Sequence, residues 1–507
     1  MKKNNFIQLG FVLSSILLAV SALSVTTDIT NKKLVTIPTA QLASAYAGLR
    51  DFNGQGMMFG LDELSTDALV SPTRGGDWDD NGTWRQLHTH RWGPSHSEAR
   101  GAWNSLFGNA ETCNYVVKYG TTSEKIQARF LKAFYYYNLI DLFGQVPFTE
   151  SGISNSTALK SNDIKTDAKV LSRSEATDFI ISELEDIVSS LPTRTPNDAS
   201  IANKDAAHFL LAKIYLNKAV FKAASPAGPY TFNASDMTKV IQHVDAITNT
   251  LATSYWDNFK PTNNTSNEII FSSKNIQGGA GGNMQSKWRM STHYNQTPSG
   301  WNGFTTLSDY YNTFNTTDIR AKYSTPSIIA AFGNPVGFQI GQQYAPGGVT
   351  PLNDRNNHPL NFTSAITLIT SGATLETAGI RGMKYIPDAL NLDSPDNDLV
   401  LMRYADALLM KAEAILRGGT GTGTTTILNN LATRANVTAA PATLEGVYAE
   451  RGRELWWEGW RRNDMIRFGK FLNARQLKPF VSDTKYVLYP IPTEALYNVN
   501  IKQNPGY

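Results

Sequence analysis

Helical periodicity comes in blocks along this chain, and two long stretches rich in glycine, asparagine, threonine, serine and proline interrupt it. The clearest block runs from Ser123 to Phe143, where Ile126, Phe130, Ala133, Phe134, Tyr137 and Ile140 recur at helical spacing and make one broad apolar stripe. Gly144 and Pro147 then stop it, as a C-terminal glycine followed by proline should. The same pattern predicts helices over Pro38–Arg50, Ser97–Tyr119, Ser174–Ser190, Lys204–Lys222 and Ser235–Ala252, and later over Leu399–Arg417, Thr424–Ala435 and Leu444–Phe468. Alanines such as Ala405, Ala407, Ala412 and Ala414 provide close-approach positions between paired helices, in the manner of tetratricopeptide hairpins, although no strict repeat of that length is visible. The expected fold is therefore mainly α, a tetratricopeptide-like α-α superhelix over about 97–252 and 399–471, with a C-terminal tail at 472–507.

The interruptions, about 51–96 and 253–398, hold six of the ten tryptophans. Loops of that length are usually functional or disordered, and disordered segments are poor in aromatics. They read as ordered, irregular lobes laid over the helical body, so that residues 25–507 form one domain.

The N-terminus reads as an export signal over residues 1–24: a basic start at Lys2 and Lys3, an apolar stretch from Phe11 to Val20, and small residues at Val20-Ser21-Ala22. Nothing further along is apolar for long enough to span a bilayer. Cys113 is the sole cysteine, so no intrachain disulfide forms, and its helical setting marks a buried structural thiol. Lys and Arg number 46 against 43 Asp and Glu, a net charge of +3 that provides no strong field for nucleic acid.

Four segments carry a resemblance. They are KIQARFLKAFYYYNLIDLFGQVPF at 125–148, DLVLMRYADALLMKAEAILR at 398–417, ERGRELWWEGWRRNDMIRFGKF at 450–471 and YPIPTEALYNVNIKQNPGY at 489–507. In type and order they resemble the signature segments of the SusD/RagB family, from the first third of the chain to its last residue. The resemblance implies a SusD-like helical body with a variable ligand-binding lobe, non-catalytic capture of oligosaccharide or polysaccharide, and a place on the outer membrane at the cell surface of a Bacteroidota-type organism. It also implies a partner, a SusC-like TonB-dependent transporter to which glycan is delivered. Family members are usually lipoproteins. This sequence has no cysteine just after its apolar run, a departure that leaves two readings of its attachment open, retention through the transporter alone or an altered N-terminus.

The remaining motifs are weighed on their chemistry. Glu450, Glu454 and Glu458 lie four residues apart among Arg451, Arg453, Arg461, Arg462 and Arg467, a pattern that reads as an ion network. Glycoside hydrolysis instead needs two carboxyls facing each other across a cleft. No Gly-x-Ser-x-Gly, His-Glu-x-x-His, Cys-x-x-Cys or phosphate-binding glycine loop is present. Asp77, Asp79, Asp80, His88, His90 and His96 contain metal-ligand types, with structural calcium on the aspartates the better fit; no other cofactor is expected.

Sugar binding suits these loops better. A pyranose offers apolar C–H faces and hydroxyl edges, so its site wants aromatic platforms beside groups that hydrogen-bond in pairs. Arg74, Asp77, Trp78, Asn81 and Trp84 place that mixture in the first lobe, and Trp288, Tyr294, Trp301 and Asn302 repeat it in the second. Trp103, Trp456, Trp457 and Trp460 are assigned to packing. Two alternatives stay open: a carbohydrate-active enzyme using carboxylates of the irregular lobes, and a scaffold that binds only proteins.

Overall fold

A computed structural model describes residues 37–148, 169–276, 283–366 and 369–507. The proposed export signal at 1–24 lies outside them. Helix α1 covers 37–47 and is followed by α2 (Met57–Glu63), α3 (Thr83–Thr89), α4 (Ser97–Tyr119), α5 (Thr122–Leu142), α6 (Arg173–Ile187), α7 (Lys204–Phe221) and α8 (Ala234–Asp245). Three short helices, α9 (Ser286–Arg289), α10 (Ser308–Tyr311) and α11 (Pro326–Phe332), punctuate the second irregular stretch, and α12 (Tyr404–Leu416), α13 (Thr424–Ala435), α14 (Leu444–Glu454) and α15 (Arg461–Arg467) close the body.

The helices begin where the sequence provides caps. Thr121 and Glu124 form a reciprocal capping box on α5, and Ser172 and Glu175 form another on α6. Asn203 caps α7 through Ala206 N–H. Each long helix then packs on the next, α4 on α5, α5 on α6, α6 on α7 and α7 on α8, and α12 joins α8 to α13 and α14. This chain of neighbours is the tetratricopeptide-like scaffold. Most of its interior is one cluster, in which Trp103, Cys113, Phe130 and Tyr137 from the first helices join Trp456 and Trp457 near the end, and a smaller one, with Leu409, Leu428 and Val447, lies among α12, α13 and α14.

Two predicted helices differ in form. Leu399–Arg403 is a strand, paired antiparallel with Ile269–Ser273, and α12 starts only at Tyr404. The run LVLMR is apolar on both faces because both are buried, and length alone cannot separate such a run from a helix. Leu444–Phe468 is two helices, broken where Trp457 (φ 56°) and Gly459 (φ 80°) take left-handed conformations.

The irregular stretches are tied to each other by short ladders. Leu69 and Val70 pair with Thr306 and Thr305, and Thr306 N–H reaches the Ile380 carbonyl. Arg381–Met383 pairs with Val336–Gln339, which also pairs with Lys322–Tyr323. These ladders set the two aromatic-rich segments side by side.

Candidate functional site: an aromatic patch where two loops meet

The segment 74–82 folds back on itself through reciprocal backbone bonds between Arg74 and Asp77. Trp78, Asp80, Asn81 and Gly82 then all take positive φ, from 41° to 79°. A tryptophan there is strained, and strain of that kind persists only where surrounding contacts hold it. Here the indole Nε1 donates to the Trp301 carbonyl at 2.7 Å. The ring lies against the bare backbone of Gly303, where an added Cβ would fall 2.2 Å from it. Trp84 and Phe304 support it from the core, with ring centroids 5.6 and 5.2 Å away.

Beside the tryptophans is a polar relay. Tyr294 donates its hydroxyl to Asp77 at 2.6 Å. The Arg355 guanidinium stacks over the Tyr294 ring at 4.4 Å and bridges Asp77 (3.2 Å) and Glu376 (3.1 Å). His293 Nδ1 accepts from Asn295 N–H, so Nε2 carries the proton and donates to Glu376 at 3.0 Å. Burial lowers the His293 pKa against the pull of Glu376, which keeps the ring neutral. Burial works against the Glu376 carboxylate too, but hydrogen bonds from Arg355 and His293 hold it below its ordinary range. Burial and the Asp77 carboxylate push the Tyr294 hydroxyl up to about 12, so it stays a donor.

The sequence candidates fall into two sets. Trp78, Tyr294 and Trp301 are half-buried, as is Asp77, and Asn81 is exposed. Asn81 edges a shallow groove of about 650 Å³ that Asp80, Gln86 and Glu98 also line. Arg74, Trp84, Trp288 and Asn302 are different, and the expectation that they touch ligand is corrected. Arg74 is 1% exposed and donates to the carbonyls of Gly303, Leu375 and Ala378; burial pulls its pKa down to about 9. Asn302, fully buried, links Arg381 to the Glu376 carbonyl. Trp84 ties its Nε1 to Asp80 at 2.6 Å, and Trp288 is a core residue. These four build the platform from beneath. Arg355, Glu376 and His293 were missed, because contacts across 278 and 83 residues leave no local signal.

The metal candidates disperse. Asp77 serves Tyr294 and Arg355, Asp79 pairs with Arg85 at 2.7 Å, and Asp80 accepts from Trp84. His88 and His90 are buried against the carbonyls of Gln476 and Ser65. Among the described residues no three such side chains gather as a metal set.

The tempting carboxylates of the scaffold are consumed by ion pairs. Glu454 meets Arg320 (2.9 Å), Arg403 (2.6 Å) and Arg434, all buried. Glu458, although past the end of α14, pairs with Arg403 and Lys384, and Glu450 pairs with Arg320 and Arg453. The cavity beside Lys287 and Trp457 holds about 50 Å³, room for a water or two and not for a sugar ring.

The structure is thus a helical-repeat body that carries a strained, braced aromatic patch. A model of the SusD family matches residues 380–479. The starch-binding protein SusD of Bacteroides thetaiotaomicron is 26% identical, over 89% of this chain and 85% of that protein. Surface glycan-binding protein A from Bacteroides fluxus superposes with a TM-score of 0.69 at 18% identity, covering 93% of this chain and 99% of its own. Its counterpart from Bacteroides thetaiotaomicron, solved with laminarihexaose, gives 0.65 at 18%, covering 92% and 98%. The chain is thus similar to SusD-family proteins over most of its length, and its fold is SusD-like. Among the described residues no helix is long and apolar enough to cross a membrane.

Proposed function

We propose that this protein binds oligosaccharide or polysaccharide without cleaving it, at the outer-membrane surface, and passes it to a SusC-like TonB-dependent transporter. The observation that carries the reading is the convergence of Trp78 and Trp301, linked by one hydrogen bond, beside the Asp77–Tyr294–Arg355–Glu376 relay. The indoles offer flat apolar surface to sugar C–H faces. Asp77 and Arg355 retain partial exposure and can accept from and donate to hydroxyl edges. Arg355 covers one face of Tyr294, so the tryptophans are the stacking surfaces. The relatives named for starch and glycan binding support the same reading.

The paired state of Glu450, Glu454 and Glu458 removes the best carboxylates for hydrolysis and favours binding over turnover. Affinity electrophoresis through polysaccharide gels tests capture. Retarded migration is expected, with loss of retardation when Trp301 is replaced by alanine; unretarded migration on every glycan would refute it. Co-purification of the transporter from the native membrane tests delivery.

A further inference from the structure

We infer that the aromatic patch selects uncharged glycans and turns away polyuronates and sulfated chains. This rests on the glycan-binding reading above and adds the charge class of the ligand. An acidic sugar is held best by a guanidinium or ammonium whose donors are unshared, because the charge-assisted, bidentate bond is what repays its desolvation. Three surface arginines hold residues of the patch or its flanks, and each already has a carboxylate, whereas exposed Arg91, beyond the C-terminal end of α3, lies over the Phe480 ring. Arg85 is paired with Asp79 at 2.7 Å, and Arg289 with Asp393. Arg355 lies between Asp77 and Glu376 at 3.2 and 3.1 Å.

Two more carboxylates stand nearby with neutral donors only or with a weak partner. Asp80 accepts from the Trp84 indole. Asp354 accepts from the backbone N–H groups of Asn356 and His358 and is 3.6 Å from the exposed His358 ring. Six carboxylates thus accompany three surface guanidiniums. The two other arginines of the region lie beneath: Arg74 and Arg381 are 1% and 0% exposed and donate to backbone carbonyls and to Asn302. They offset part of the negative charge from below but cannot reach a ligand.

A polymer with an anion on each repeat would therefore have to displace Asp77 or Glu376 from Arg355, and would bring like charge against the remainder. A neutral chain meets no such cost: its hydroxyls can donate to Asp77 and accept from Arg355 without breaking either pair. Its binding should also be nearly indifferent to salt.

The test is affinity electrophoresis of the intact chain on neutral polymers (soluble starch, laminarin, xylan) and anionic ones (polygalacturonate, alginate, dextran sulfate), at low and high salt. The expected result is retention on at least one neutral polymer, unchanged by salt, with anionic polymers weaker by about tenfold or more. Asp393→Asn, which frees Arg289, and Asp77→Asn, which leaves Arg355 paired with Glu376 alone, should each raise retention on polygalacturonate; both melting curves are compared with wild type. Equal or stronger retention of wild type on an anionic polymer overturns the inference. If folded Asp77→Asn and Asp393→Asn gain nothing on polygalacturonate, the pairing of these arginines is not the cause of selection. No retention on any polymer overturns the glycan-binding reading itself, a separate outcome.

Discussion

Replacing Gly303 by alanine should disable the patch through a single methyl group. An ideal Cβ at Gly303 would fall 2.2 Å from Cε2 of Trp78 and 2.4 Å from Cζ2. Ordinary contact begins at 3.4 Å, so the indole must retreat by about 1.2 Å. The backbone cannot yield instead, because the Gly303 carbonyl accepts both Nε and Nη2 of buried Arg74 at 3.1 Å. A retreat of that size stretches the 2.7 Å bond from Trp78 Nε1 to the Trp301 carbonyl beyond hydrogen-bond range. Overpacking costs about 1–3 kcal/mol and the lost bond about 0.5–1.5 kcal/mol. A thermal melt should therefore fall by several degrees while the scaffold stays folded. Tryptophan emission should shift, and retention on polysaccharide gels should drop sharply. Gly76→Ala is the control in the same loop, since nothing lies within 4 Å of its added Cβ. Wild-type melting and retention in Gly303→Ala would refute the argument that Gly303 seats the ring.

Other perturbations separate platform from contact surface. Trp288→Ala, at a fully buried position, should cost about 3–5 kcal/mol and lower the melting temperature, with glycan retention lost only as folding is lost; an unaltered melt would place Trp288 outside the core. Glu454→Gln leaves Arg320, Arg403 and Arg434 short of one carboxylate charge in the core and should destabilise by about 3–5 kcal/mol, read by urea unfolding. Acid should weaken the fold before carboxylates dominate. Burial drives the His88 pKa down to about 3 and that of His243 to about 4. The unfolded chain takes up those protons near 6.5 and the folded chain does not, so stability is full above 6.5 and declines as pH falls toward 4 and 3. Asp464 adds to the loss at the acid end. Burial opposes its charge, but Arg451 and Arg467 hold its pKa at about 2, and its contribution is lost as pH falls from 3.8 through that value. Urea midpoints unchanged between pH 7 and 4 would contradict this.

Much of the scaffold was legible because its signals are local. The stripe Phe130–Phe134–Tyr137, the Thr121 and Ser172 caps and the stop at Gly144 are all encoded within a turn or two of where they act. Leu399–Arg403 misled as a helix because a strand buried on both faces has no period to display. The break near Trp457 was hidden because a left-handed tryptophan leaves no compositional trace. At the patch, residue chemistry singled out two segments that the structure sets side by side, but not the orientation of each side chain. Trp78 and Trp301 stay half-buried while Trp288 is sealed, a difference set by contacts between segments far apart in the chain, among them the ladder from Leu69–Val70 to Thr305–Thr306 and the bond from Trp78 to Trp301. Arg74 looked like a ligand contact and is a staple, whereas Arg355, in an unremarked polar run, bridges both carboxylates.

The most direct measurement is affinity electrophoresis of wild type and Trp301→Ala on a polysaccharide panel, with a reducing-end assay on the same mixtures. Alanine keeps the backbone carbonyl that accepts from Trp78, so the patch loses a stacking surface and not its brace. The account predicts retarded wild-type protein, no new reducing ends, and loss of retardation in a variant that melts close to wild type, as removal of one stacking ring worth about 1–3 kcal/mol would produce. Full retention by Trp301→Ala, or steady release of reducing ends by the wild-type protein, would contradict it.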